Sequence, residues 1–356
     1  MAHVQTVLGP VATSELGGIM HHEHLLSLTP GPWLSGGPPA RARSDAPTPD
    51  GADMRARDEA QVEVAVAALG GLAELGIGTV VDLSPYGVVG RDTHGGNVAL
   101  LQEISRRSGV HVVAGTAVYL EPYSPDWAIE ATLDEMAERF VADVIDGIGD
   151  TTVKAGILGE QATGLGVITA HEEKCLRAAA RAQRETGLAL ITHTTHGTMA
   201  LEQVEILAEE GADLSRVVIG HMDTQADAGY DRAVLDTGVN IAFDTIGKQF
   251  WDFVVEPLPD DLPEGEFTKQ AYFRSDHSRA RRIAALVADG YRDRLLLAQD
   301  MTGVEVYLNS TTHGEWGYSY LGAAFADLLR QHGVTDADMT TMLQHNPARL
   351  LTQMSG

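Results

Sequence analysis

A single cysteine, Cys175, excludes any internal disulfide, and its place in the helical pattern EEKCLRAAARAQ assigns it to packing rather than chemistry. Basic residues are scarce as well: 25 Lys and Arg stand against 50 Asp and Glu, a formal net charge of -25. A field of that sign repels nucleic acid and anionic membrane, so neither is expected as a partner, whereas divalent cations are attracted. No apolar run reaches the roughly 18 residues of a membrane helix, and the N-terminus lacks a basic start followed by an apolar stretch. The expectation is a soluble, cytoplasmic protein acting on a small molecule. No GxGxxG follows the first apolar run, which argues against dinucleotide binding. Solenoid-like repeats are missing too, and no compositional break divides the chain, so residues 1–356 are expected to form a single domain.

What is present is a core-forming composition, 44% apolar with 38 glycines and 14 prolines for turns. Short β-rich apolar runs alternate with longer helical patterns eight times: IMHHEHL from Ile19, TVVDLSP from Thr79, HVVAGTAVY from His111, TVKAGILGE from Thr152, LALITHTT from Leu188, RVVIGHMD from Arg216, NIAFDTIG from Asn240 and RLLLAQD from Arg294. Near-continuous apolar runs suit strands buried on both faces, and the alternation with helices predicts parallel pairing. Helices are expected from about Asp58 to Gly76, from Thr169 (with Glu172 completing a capping box) to about Gly187, and from Ser275 to about Gly290. The fold class is therefore α/β, a (β/α)₈ barrel, whose active sites form at the C-terminal ends of the strands. Two stretches interrupt the repeat there, about Pro30 to Gly51 and about Lys248 to Arg274; the aromatic content of the second favours a substrate wall.

Polar residues cluster at the same strand ends. His22 and His24 lie two residues apart and share one side of the first strand, with His21 and Glu23 on the other. His193 ends the fifth strand, His221 the sixth and Asp300 the eighth. One such residue alone is usually structural, but four histidines and an aspartate at one level point to a divalent metal centre. A two-metal site also needs an anionic bridge, and the fourth strand offers Glu160, or Lys154 if carboxylated. Alternation gives both the same facing, but they are about 20 Å apart along the strand, and Glu160 is level with the other ligands.

With these residues in view, the chain resembles the phosphotriesterase-like branch of the amidohydrolase superfamily. The opening VQTVLGPVATSELGGIMHHEHL carries the HxH pair, and KAGILGE, ITHT, IGHMD, LLLAQD and NPARLL follow in family order. The resemblance implies one metal held by His22, His24 and Asp300, a second held by His193 and His221, and a fourth-strand bridge. Gly159-Glu160 replaces the carboxylated-lysine dipeptide of the best-known members, as in the phosphotriesterase-related or phosphotriesterase homology proteins. The implied activity is a binuclear metal-dependent hydrolase, most readily with zinc (manganese or cobalt being alternatives), whose metal-bridging hydroxide attacks a lactone, ester or N-acyl amide carbonyl. Organophosphate triester hydrolysis is the alternative that Glu160 weakens. A mononuclear deaminase-like member and a non-catalytic metal- or ligand-binding barrel are the other competing readings. Asp300 is the expected proton acceptor, and Tyr119 matches a tyrosine that lactonases place beside the metals, or else packs at the rim.

Arg91 and Asp92 are expected to form a structural ion pair, substrate contact being the weaker reading. Lys248 either meets an anionic substrate group or is solvated. Trp251 is a candidate for the second insertion's wall. Trp316, Tyr318 and Tyr320 are candidates for the leaving-group pocket or for loop packing. The resemblance further implies a homodimer.

Overall fold

The computed structural model describes residues 2–28, 51–225, 227–248, 253–255, 269–271, 275–302 and 317–354. Its centre is an eight-stranded parallel sheet built from β3 (Gly18–Glu23), β4 (Ile77–Asp82), β5 (His111–Thr116), β6 (Ala155–Thr163), β7 (Leu190–Thr194), β8 (Val217–Ile219), β9 (Asn240–Phe243) and β12 (Leu295–Leu297). These are the eight expected runs in sequential order, and they curl into the (β/α)₈ barrel that the alternation predicts. The last seam, between β12 and β3, carries no full ladder; it is bridged by Asp300 N to His22 O at 3.1 Å and His21 Nδ1 to Leu297 O at 3.2 Å.

Alternation divides the strand side chains between two cores. Val81, Val113, Ile191, Val218, Ala242 and Leu296 fill the barrel interior. Their neighbours Val80, Val112, Leu190, Ile219, Phe243 and Leu297 face the surrounding helices. The interior residues sit below the polar strand ends, so the barrel is a packed pedestal with its chemistry on top. Helix α5 (Ala170–Thr186) is capped as expected, Thr169 and Glu172 forming the capping box and Gly187 turning left-handed at φ 70. Helix α8 (Asp276–Ala288) follows Ser275. Helix α1 (Gly51–Ala68) begins earlier than expected, because GADMRARDEA contains no breaker after its glycine, and residues 72–75 form a separate 3₁₀ turn.

Sequence patterning did not reveal the barrel floor. There β1 (Ala2–Thr6) and β2 (Gly9–Ala12) make a hairpin that pairs with β13 (Gln353–Met354). The hairpin seals the N-terminal end: Val7 N donates to Val112 O at 2.8 Å, and a Cβ on Gly156 would lie 2.5 Å from Gln5 O, so only glycine admits that approach. The NPARLL segment is part of the same floor. Asn346 donates to Leu295 O at 2.8 Å, and Leu350 and Leu351 pack into the interior cluster. No helix of the described residues is long and apolar enough to cross a membrane.

Candidate metal centre

Four histidines converge above the interior core, and each has one ring nitrogen anchored and the other turned inward. His22 Nδ1 lies 2.8 Å from Asp244 Oδ2, and His221 Nδ1 lies 2.8 Å from Asp244 Oδ1. His24 Nδ1 is 3.2 Å from Ser84 Oγ, and His193 Nε2 is 3.3 Å from the Tyr119 hydroxyl. With those partners accepting, each ring is held as the tautomer whose bare nitrogen faces the centre, the usual support for a metal-binding imidazole. The inward nitrogens surround Glu160. Its Oε2 is 3.2 Å from both His22 Nε2 and His193 Nδ1 and 3.6 Å from His221 Nε2, and its Oε1 is 3.3 Å from His24 Nε2. Asp300 Oδ1 lies 2.9 Å from His24 Nε2.

This donor set suits cations. His22, His24 and Glu160 have ligand atoms within 4.8 Å of one another, as do Glu160, His193 and His221, so two adjacent groups able to hold a metal share the glutamate. A third such group, His22, His221 and Asp244, is better understood as support, because both Asp244 oxygens already accept from Nδ1 atoms. His22 Nε2 is buried and makes no hydrogen bond among the described residues. His193 Nδ1 and His221 Nε2 face each other at 2.8 Å, so one of them must be protonated unless a cation engages their lone pairs.

The electrostatics agree. Burial alone would pull His22 down, but the Glu160 and Asp244 carboxylates outweigh it and hold the ring up to about 10. His24 rises to about 9 in the same way, against burial, through Asp300 and Glu160, and Asp244 holds His221 well above the ordinary histidine range. Burial and the neighbouring His221 lower His193. Glu160 is held well below the carboxylate range, the surrounding histidines overcoming burial. Without a metal, protons supply the positive charge this site attracts; divalent cations meet the same demand.

Asp300 reaches this place through an unusual backbone. It and His221 both adopt left-handed conformations, at φ 47 and 58. Lys248 Nζ lies 2.5 Å from Asp300 Oδ2, so the lysine is neither solvated nor independent of the centre. Despite burial, that ammonium and His24 hold Asp300 below its ordinary range. A cavity of about 300 Å³ opens above these groups, lined by His24, Glu160, His193, His221 and Asp300 together with Val88, Val89, Tyr119, Leu120, Tyr123 and Thr302.

The loop bearing Val88 and Val89 is pinned by Arg91, whose placement corrects the expected pairing with Asp92. Arg91 donates to Asp82 Oδ1 at 3.0 Å and to Gly115 O at 2.5 Å, entirely inside the protein. Asp92 instead caps the next turn, accepting from His94, Gly95 and Gly96 through Oδ1 and from Asn97 through Oδ2. A buried guanidinium needs a buried carboxylate, and Asp92 lies in a more exposed turn. Of the two alternatives for Tyr318, its position agrees with packing: it is fully buried and is not among the residues that line the cavity. Tyr320 packs beneath Gly247 and donates to Asp276 at 2.7 Å. Trp251 and Trp316 lie outside the described residues, as do residues 30–50 of the first insertion and most of the second.

Lys154 precedes β6 and is not in the cluster. Alternation does not connect it to Glu160, because Ile157 faces the interior, Leu158 faces outward, and the register shifts between Leu158 and Gln161. Asp244 and Asp82 were missed in the sequence, although Asp244 directly follows β9 and Asp82 ends β4.

Comparison with known proteins places this architecture. The model of the phosphotriesterase family matches residues 2–351. The phosphotriesterase homology protein of Escherichia coli is 35% identical over 257 residues, 72% of this chain and 79% of that protein. An N-acetyltaurine hydrolase of Salmo salar is 27% identical over 98% of this chain and 97% of that one, and an aryldialkylphosphatase of Saccharolobus solfataricus is 28% identical over 78% and 82%. Among solved structures, the Escherichia coli phosphotriesterase homology protein with phosphate in its active site superposes with a TM-score of 0.75 at 28% identity, covering 95% of this chain and 99% of that one. With the family model spanning almost the whole barrel and hydrolases among the long matches, the chain belongs to the phosphotriesterase family and is a metal-dependent hydrolase.

Proposed function

We propose that the chain hydrolyses the carbonyl of a small lactone, ester or N-acyl amide at a two-metal centre. His22, His24 and Asp300 would hold one cation, His193 and His221 the other, with Glu160 between them. The observation that carries this reading is the sharing of one glutamate by two histidine groups at the base of a cavity. Divalent cations bound there lower the pKa of water and polarise a substrate oxygen. Zinc fits the imidazole-rich set, with manganese or cobalt as replacements.

The protein's own residues divide the remaining work. Val88, Val89 and Leu120 give the cavity an apolar wall that receives the acyl or ring portion of the substrate and excludes water from it. Burial, reinforced by Glu160 and Asp300, holds the Tyr119 phenol well above its ordinary range, so it stays protonated. If its oxygen accepts from His193 Nε2, its own proton is left to donate to a substrate oxygen. Asp300 Oδ1 is the proposed proton acceptor, while Lys248 holds Oδ2. A ready-made glutamate bridge distinguishes this site from one needing a carboxylated lysine, and a carbonyl substrate is favoured because one long relative is named an N-acetyltaurine hydrolase.

The test is a screen of zinc-, manganese- and cobalt-loaded protein against matched lactones, esters, N-acyl amides and phosphate triesters, with metal counted per chain. The expected result is close to two ions and the highest kcat/KM on a carbonyl substrate. Glu160→Gln should lose at least one ion, whereas Lys154→Met should keep both and need no bicarbonate. Triesters as the best substrates, or a count that stays near one in excess metal, would overturn the reading.

A further inference from the structure

We infer that Glu23 is the positioning residue for Asp300: its carboxylate clamps the backbone on both sides of that aspartate and so sets where the Asp300 carboxylate points. This rests on the assignment of Asp300 to the metal centre proposed above.

The clamp is visible in three successive amides. Gln299 N donates to Glu23 Oε1 at 2.9 Å, Asp300 N to His22 O at 3.1 Å, and Met301 N to Glu23 Oε2 at 2.9 Å. Strand β12 has ended by then, its register with β9 running only from Leu295 to Leu297, and the next amide, Ala298 N, is the last to reach β9, through Phe243 O at 3.1 Å. Beyond it the chain is held by β3 alone among these bonds, and two of the three acceptors are oxygens of one side chain. A bidentate carboxylate fits two N–H donors on either side of one residue, where a backbone carbonyl would satisfy only one of them.

The place where the clamp closes matters. Asp300 has φ 47, a conformation that residues other than glycine rarely adopt and hold only when the surroundings impose it. That turn brings its side chain between His24 Nε2 and Lys248 Nζ. Glu23 is itself fully buried, and burying a carboxylate is costly unless its oxygens are satisfied. Glu23 is not the only side chain that ties this seam, since the His21 ring spans it to Leu297 O at 3.2 Å.

The experiment compares Glu23→Gln, Glu23→Asp, His21→Leu and Asp300→Asn, each loaded with cobalt, by metal count, the visible spectrum of the cobalt ions, kcat and KM. Glu23→Gln keeps the volume but turns an amide donor toward a backbone donor; Glu23→Asp keeps the carboxyl group but withdraws it by one methylene. The expected result for both is a shifted cobalt spectrum and kcat down about 10- to 100-fold with KM little changed. His21→Leu should keep the native spectrum. If Glu23→Gln does not fold, the Glu23→Asp spectrum decides in its place. Native spectrum and kcat in the Glu23 variants, or equal spectral shifts in His21→Leu, would overturn the inference while Asp300→Asn still loses activity. If Asp300→Asn itself keeps both ions and native kcat, the assignment of Asp300 falls instead.

Discussion

At the scale of single residues, the centre depends on groups that never meet a substrate. Asp244 accepts from the Nδ1 atoms of His22 and His221 and from His221 N, at 2.8 Å each. One carboxylate therefore fixes the ring of a histidine from each of the two proposed metal groups. Asp244→Asn offers a single oxygen and places an NH₂ against another donor, so one ring should lose its tautomer. Metal affinity should fall about 10- to 100-fold, measured by titration against a competing chelator, with far-UV circular dichroism unchanged; native affinity would show that the rings need no such support. This residue illustrates a limit of sequence reading. His22, His24, His193, His221 and Asp300 were legible because imidazoles at strand ends are chemically distinctive. Asp244 follows NIAF just as Asp300 follows LLLAQ, but its importance comes from partners 222 and 23 positions away, which no local pattern encodes. Arg91 misled for the same reason: its adjacent aspartate was the obvious partner, and burial selected Asp82 instead.

At the scale of elements, local rules worked where the determinant is local. The Thr169–Glu172 capping box and Gly187 bracket α5 as their chemistry dictates. The floor hairpin escaped notice because its pairing with β13 joins the two ends of the chain. The α5 cap also does more than start a helix. Glu172 Oε2 accepts from Thr169 N at 3.1 Å and Gly164 N at 3.2 Å, and Oε1 accepts from Glu121 N at 3.4 Å, tying the end of β6 to the loop that follows Tyr119. Removing the carboxylate leaves several donors unsatisfied at once. Glu172→Ala should therefore cost about 1–3 kcal/mol, against about 1 kcal/mol for the single cap lost in Thr169→Ala. Thermal scans should rank the two in that order, the larger loss corresponding to about 1–4 °C at roughly 1.3 °C per kcal/mol for a chain of this size. Equal melting temperatures would mean that the bonds to Gly164 and Glu121 add nothing.

At the scale of the whole molecule, the fold and the proposed metal centre are one construction. The proposed ligands come from β3 and the residue after it, β6, β7 and the turns after β8 and β12, so they span the barrel's circumference and no part of the chain holds them alone. The seam between β12 and β3, the weakest part of the sheet, is also where Asp300 and His22 meet through a backbone bond. A cation held by both sides, as proposed, would add a cross-link there. The unfolded chain scatters these ligands across 279 positions, from His22 to Asp300, and cannot reproduce the site. Metal at the proposed sites would therefore bind the native state preferentially and stabilise it by mass action, by about 4 kcal/mol per site when free metal exceeds the dissociation constant about 1,000-fold. Without metal, protonated histidines and Lys248 still balance Glu160, Asp244 and Asp300, so the barrel should stay folded. Chelation should thus leave the far-UV spectrum intact while lowering the melting temperature by roughly 5 °C per site, and restoring one ion should recover only part of the loss. A melting temperature unchanged after both ions are removed would show that the centre is a passenger on the barrel and carries none of its stability.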